Sequence, residues 1–164
     1  MSYGVGVTDT SARASVVRLA SFDDRSAVAG LRRAWTEEKA GRAIEDDGFE
    51  ARFEEWLLRE QHQRVTWLAE VDGEPAGMVN MLVFTRMPRP GETRSSQWGY
   101  LANCYVRPER RGTGLGSRLL DACTAYADEH GLVRIVLSPS ERSVPFYLRG
   151  GFAPATSLMV RQAD

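Results

Sequence analysis

Residues 101–117, LANCYVRPERRGTGLGS, decide how the rest of the chain is read. Leu101 to Val106 is an apolar run that predicts a strand, and Arg107-Pro108-Glu109 breaks it. Arg110 and Arg111 lead into Gly112-Thr113-Gly114-Leu115-Gly116, and apolar residues at helical spacing follow at once. The prediction is a strand, a basic glycine-rich turn and a helix N-terminus. That turn aims backbone N–H groups and the positive end of a helix dipole at one point, which suits an anion such as pyrophosphate. Its glycines let the backbone approach a ligand with no Cβ in the way. Two nucleotide loops do not fit. A P-loop needs lysine and then Ser/Thr after its last glycine, whereas Ser117 and Arg118 follow Gly116. A dinucleotide fingerprint needs G-x-G-x-x-G, whereas the spacing here is G-x-G-x-G.

Downstream of the turn, Leu115, Leu119, Leu120, Cys123, Tyr126 and Ala127 share one helix face, and Gly131 is a C-terminal cap. Leu132 to Leu137 reads as a strand buried on both faces. Residues 99–137 are therefore a β–α–β unit with locally parallel strands. Pro145 belongs in the first turn of a short helix capped by Ser143, holding Tyr147 and ended by Gly150-Gly151. Phe152 to Val160 is expected to form a last strand, interrupted near Pro154. Upstream, Arg64–Val71 and Ala76–Phe84 are strands around the hairpin turn Asp72-Gly73-Glu74-Pro75. Two amphipathic helices precede them. Ser21, with Asp24 in the capping-box position, opens the first, which carries Val28, Leu31 and Trp35 and runs to about Glu38. Phe49, Phe53, Trp56 and Leu57 mark the second. Ser15–Leu19 is a first strand, residues 1–14 a flexible leader and 86–97 a proline-rich loop.

The chain has 164 residues and a net charge of −1, so it suits one domain, 15–164, and offers no overall surface for nucleic acid or membrane. Cys104 and Cys123 lack metal-ligand spacing and are read as buried thiols; His62 and His130 are isolated. No metal is expected. There is no signal-peptide core and no apolar run near ~18 residues, so the cytoplasm is the expected compartment.

The motif R-x-x-G-x-G at Arg111, Gly114 and Gly116, preceded by V-x-P at Val106 and Pro108, resembles the acyl-CoA pyrophosphate loop of the GNAT superfamily of N-acetyltransferases. SERSVPFYLRGGF, residues 140–152, resembles a second part of that pattern, with Ser140, Ser143, Tyr147, Gly151 and Phe152 in the matching places. Serine stands at 140 where the family often has asparagine. The resemblance implies an α+β fold of three layers, α/β/α. Its mixed, mostly antiparallel central sheet has fourth and fifth strands that splay apart, with a bulge in the fourth. The pantetheine of acetyl-CoA would lie in the gap, against the main chain of Tyr105 and Val106, with the Val106 N–H at the thioester carbonyl. The main chain of Arg111, Gly112, Thr113, Gly114, Leu115, Gly116 and Ser117 would hold the pyrophosphate, assisted by the Arg111 side chain. Ser140 would touch the pantetheine arm. A homodimer is common in the family.

The implied reaction is direct attack of a primary amine, of a small molecule or peptide, on acetyl-CoA in a ternary complex. An alkylammonium of pKa about 10.4 must first lose a proton, a penalty near ~4–5 kcal/mol at neutral pH. The leaving thiolate, with a conjugate thiol near ~8.5, needs one, and a tyrosine near ~10 is a reasonable donor. Tyr147 is the candidate acid. Glu37, Glu38, Asn103 and Tyr105 are candidates for the base. The acceptor pocket is expected from residues 30–60 and the 86–97 loop, with Trp35, Phe49 and Phe53 as candidate walls. The alternative is a non-catalytic acyl-CoA-binding module or sensor.

Overall fold

The computed structural model describes residues 14–94 and 96–163. Five strands form one sheet in the order β1-β2-β3-β4-β5. They are β1 (Ser15–Leu19), β2 (Arg64–Val71), β3 (Glu74–Thr85), β4 (Gln97–Val106) and β5 (Ile135–Leu137). Neighbours are antiparallel except β4 and β5, which are parallel. Helices α1 (Arg25–Ala40) and α2 (Phe49–Glu60) cover one face; α3 (Leu115–Glu129) and α4 (Val144–Arg149) cover the other.

Local chemistry sets these elements. The Asp24 carboxylate accepts from the Ser21 N–H at 2.8 Å, a capping box that opens a 3-10 turn feeding α1. Gly41, with φ 65°, ends α1 in the left-handed conformation. Val71 pairs with Glu74, leaving Asp72 and Gly73 as a two-residue loop. Both have positive φ, 54° and 82°, as a type I′ hairpin requires. Alternation along β2 and β3 sends Leu68 and Met78 toward α1, and Trp67, Ala69, Val79 and Met81 toward α3. There they meet Leu115, Leu119, Leu120 and Cys123, all buried.

Strand β4 departs from simple alternation. Met81 pairs with Leu101 but Asn80 pairs with Asn103, so Ala102 is an extra residue. This β-bulge lets Leu101 and Cys104 pack on the α3 side while Ala102 and Asn103 both face the α1–α2 side. On its other edge β4 meets β5 only from Gly99 to Leu101. From Ala102 to Val106 that edge has no strand partner among the described residues, which is the expected splay.

Three expectations need correction. The strand expected over Leu132–Leu137 shrinks to Ile135–Leu137, none of it fully buried, and Val133 is exposed. The run was apolar, but its first half connects α3 to the sheet: the Val133 N–H donates to the Gln97 carbonyl at 2.8 Å. The last strand over Phe152–Val160 does not form. Phe152 packs into the core, but Pro154 lacks a ladder donor, and Met159 and Val160 are exposed. Residues 1–13 of the expected leader lie outside the described residues. Ala14 belongs with the sheet, its carbonyl accepting from the Asp72 N–H at 2.9 Å.

Candidate active site

The open edge of β4 is the centre of the site. The Arg107 N–H donates to the Ala76 carbonyl across the β3 ladder. Main-chain groups of an antiparallel strand point alternately to either side, so Tyr105 also turns its main chain toward β3. Cys104 and Val106 turn theirs toward the gap beside β5. The sequence reading assigned Tyr105 and Val106 to this edge; the structure places Val106 there with Cys104. A period-two reading has no way to see the shift that the Ala102 bulge introduces.

At the end of the gap the chain makes the expected turn. Gly112 and Gly114 have φ of 74° and 81°, and Gly114 caps α3. Among the described residues the N–H groups of Gly112, Thr113, Gly114, Leu115, Gly116 and Ser117 find no acceptor. The turn is exposed except at Leu115, which is buried in the core and fixes the loop to it. Gly116 lies under Phe146: a Cβ there would meet its ring at 3.5 Å. The turn is therefore a concave array of donors at a helix N-terminus.

Arg111 is not aimed at that array. Its guanidinium grips Glu38 in a bidentate pair at 2.8 and 2.7 Å, and its Nε donates to the Val106 carbonyl at 2.9 Å. The pair joins the last turns of α1 to the loop. Arg111 holds the Glu38 carboxyl below its usual range, which makes Glu38 a poor base. Tyr105, buried beneath this pair, stacks on Trp35 with ring centroids 6.0 Å apart. Burial, and then the charge of Glu38, raise its phenol above the usual value. Glu37 points elsewhere, accepting from the Ile44 N–H at 3.1 Å.

Tyr147, on α4, stands across the gap from β4. Its ring packs edge-on against Phe146 and Phe152, with centroids at 5.0 and 5.8 Å. Burial, with the Cys104 sulfur alongside, pushes its phenol well above the ordinary value. Burial likewise pushes the Cys104 thiol up to about 11. The Tyr147 hydroxyl thus stays protonated and faces a sulfur on the open strand. Ser140 is exposed at the start of the α4 segment, its hydroxyl 3.0 Å from that of Ser143.

On the opposite face, α1, α2 and strands β2 to β4 enclose a cavity of about 490 Å³. Phe49, Phe53 and Trp56 form one wall, and Ala102 and Asn103 of the bulge are part of its lining. Trp35 and the 86–97 loop take no part in that lining. The sequence reading missed the floor. Asn80 is buried, its amide donating to the Thr66 hydroxyl at 2.7 Å and its carbonyl accepting from Arg64 at 2.9 Å. A signal existed: Asn80 is the one polar residue in the run Ala76–Phe84. Among the described residues no cluster of His, Cys, Asp and Glu is arranged to hold a metal ion.

A donor-lined turn, a strand edge left open by a bulge, and a cavity behind it define a site for an extended anionic carrier and a second substrate. The chain belongs to the Acetyltransferase (GNAT) family, whose sequence profile matches residues 28–152. It is 29% identical over 80 residues to glucosamine 6-phosphate N-acetyltransferase of Trypanosoma brucei brucei, a match spanning 49% of this chain and 52%, about half, of that protein. Among solved structures, a GCN5-related N-acetyltransferase from Ralstonia eutropha is 28% identical with a TM-score of 0.69, covering 92% of this chain and all of the other. A predicted acetyltransferase from Clostridium acetobutylicum, solved with acetyl-CoA, shares the fold at 20% identity and a TM-score of 0.72, over 91% and 96% of the two chains.

Proposed function

We propose that this chain transfers the acetyl group of acetyl-CoA to a primary amine. The observation that carries this reading is the open edge of β4, with the Val106 N–H turned into the gap between the donor-lined turn and the cavity. The pyrophosphate rests on the free amides of residues 112–117. The pantetheine runs along Cys104 and Val106, and the thioester carbonyl accepts from the Val106 N–H. The amine enters from the α1–α2 side, past Asn103. Its nitrogen attacks the carbonyl carbon, a C–N bond forms and the C–S bond breaks. Tyr147 supplies a proton to the departing thiolate; its raised pKa keeps that proton in place at every pH where the enzyme works. No carboxylate reaches the attacking nitrogen as a strong base, so its proton passes to solvent through the cavity.

Residues 15–163 act as one domain in this reading, and the cytoplasm, where acetyl-CoA is made available, is the working compartment. Among the described residues no helix is long and apolar enough to cross a membrane. The test is release of free thiol from acetyl-CoA in the presence of a panel of primary amines, with acetylated product seen by mass spectrometry. Tight CoA binding without product from any amine would replace this reading with a binding module.

A further inference from the structure

The cavity behind the bulge carries an electrostatic signature that a plain amine does not match. Arg32, Arg52 and Arg64 line it, and no aspartate or glutamate does. Arg52 is largely neutralised at the rim by Asp46, at 2.5 Å. Arg32 lies over the Trp35 ring at 4.9 Å and has no carboxylate partner among the described residues. Arg64 is the inner member, its side chain only 13% exposed and its guanidinium stacked 4.7 Å from the centre of Trp56. One amino group holds Asn80; the other reaches Glu60 only at 3.4 Å. Its Nε is buried with no acceptor. A buried donor without a partner is costly, and a cationic wall repels an alkylammonium. Both conditions are relieved by a substrate that brings its own negative charge.

We infer that the acceptor is a primary amine that also bears a carboxylate or a phosphate, held by Arg32 and Arg64 with its body against Phe49, Phe53 and Trp56. This deepens the transferase reading and rests on it for the reaction, though not for the binding. The anion engages guanidinium donors that the fold leaves under-used, and the aromatic wall excludes water around them. The amine end then points to Asn103 and the bulge, where the open β4 edge begins. Once the anion is held, the arginines also favour loss of the ammonium proton.

The test uses amines in matched pairs with the intact chain: phenylalanine against phenylalaninamide for the carboxylate, phosphoethanolamine against ethanolamine for the phosphate. The anionic member of at least one pair is expected to have a kcat/KM at least about tenfold higher, equal to about 1.4 kcal/mol. That pair identifies which anion is used. The preference falls at least about threefold in Arg32→Gln, an exposed position where folding is not at stake, and further in Arg64→Gln once its melting curve is shown to be cooperative. Equal or better use of the neutral members overturns the inference and leaves the transferase standing. If no amine is acetylated, calorimetry decides: anion-dependent binding that weakens in Arg32→Gln supports the cavity assignment while the transferase reading falls. Absence of that binding overturns the assignment.

Discussion

Tyr147 shows how a single side chain is tuned by its surroundings. Its hydroxyl lies in an apolar setting between Phe146, Phe152 and the Cys104 sulfur, so it remains a phenol and not a phenolate. Tyr147→Phe is expected to lower kcat at least about tenfold, the low end for loss of a general acid, with acetyl-CoA affinity unchanged. Steady-state kinetics beside calorimetry would reveal any discrepancy. Because its pKa is raised, the wild-type rate should show no alkaline limb from Tyr147 below about pH 10. Tyr147 was legible in the sequence because a proline and two glycines bracket it. Cys104 and Arg64 were not. The orientation of Cys104 depends on one inserted residue, Ala102, whose effect appears only when β3 is laid alongside. Arg64 looked like an ordinary cation at a strand start until Asn80, Trp56 and Glu60 were brought around it.

Among the elements, the turn before α3 and the end of α1 are coupled. Gly114→Ala adds a Cβ with no neighbour within 4 Å but forces φ 81° on alanine. The fold should lose only about 1 kcal/mol, while the new methyl weakens CoA binding at least about tenfold. Gly77→Ala should do the reverse. Its Cβ would lie 2.8 Å from the Tyr105 carbonyl, so denaturant unfolding should show the larger loss. The Glu38–Arg111 pair yields a sharper expectation. Arg111 has to leave Glu38 and the Val106 carbonyl if it is to assist the pyrophosphate. Glu38→Gln should therefore tighten CoA binding about threefold or more, and Arg111→Gln should weaken it. Unchanged affinity in Glu38→Gln would mean that Arg111 keeps its present partners when CoA binds. The sequence showed that both residues are charged but not that they meet, since 73 positions separate them.

Across the whole molecule, one arginine fastens three elements. Arg18 of β1 bonds Asp24 at the start of α1 and Glu70 of β2, at 2.8 and 2.9 Å. Arg18 holds the Asp24 carboxyl far below its ordinary range. The folded value lies below the unfolded one, so this contribution is complete above about pH 4 and is lost as the pH falls further. Asp24→Asn should cost about 1 kcal/mol at pH 7, allowing for the partial exposure of Arg18, and the gap from wild type should close in acid. Urea titrations at pH 7 and pH 3 provide the check. At this scale the sequence was most informative: hydrophobic period and turn chemistry sufficed for the layers, the hairpin and the parallel unit. It failed at the far end, where apolar content without alternation suggested a strand that finds no edge to join.

The brevity of the β4–β5 contact has a practical consequence. Three residue pairs are a slender hinge for everything beyond Leu137, so the bound carrier becomes mortar for that side of the molecule. Without it, proteases should nick the Ser138–Ser140 stretch readily, and amide deuteration there should outpace that of β3. Adding CoA should slow both.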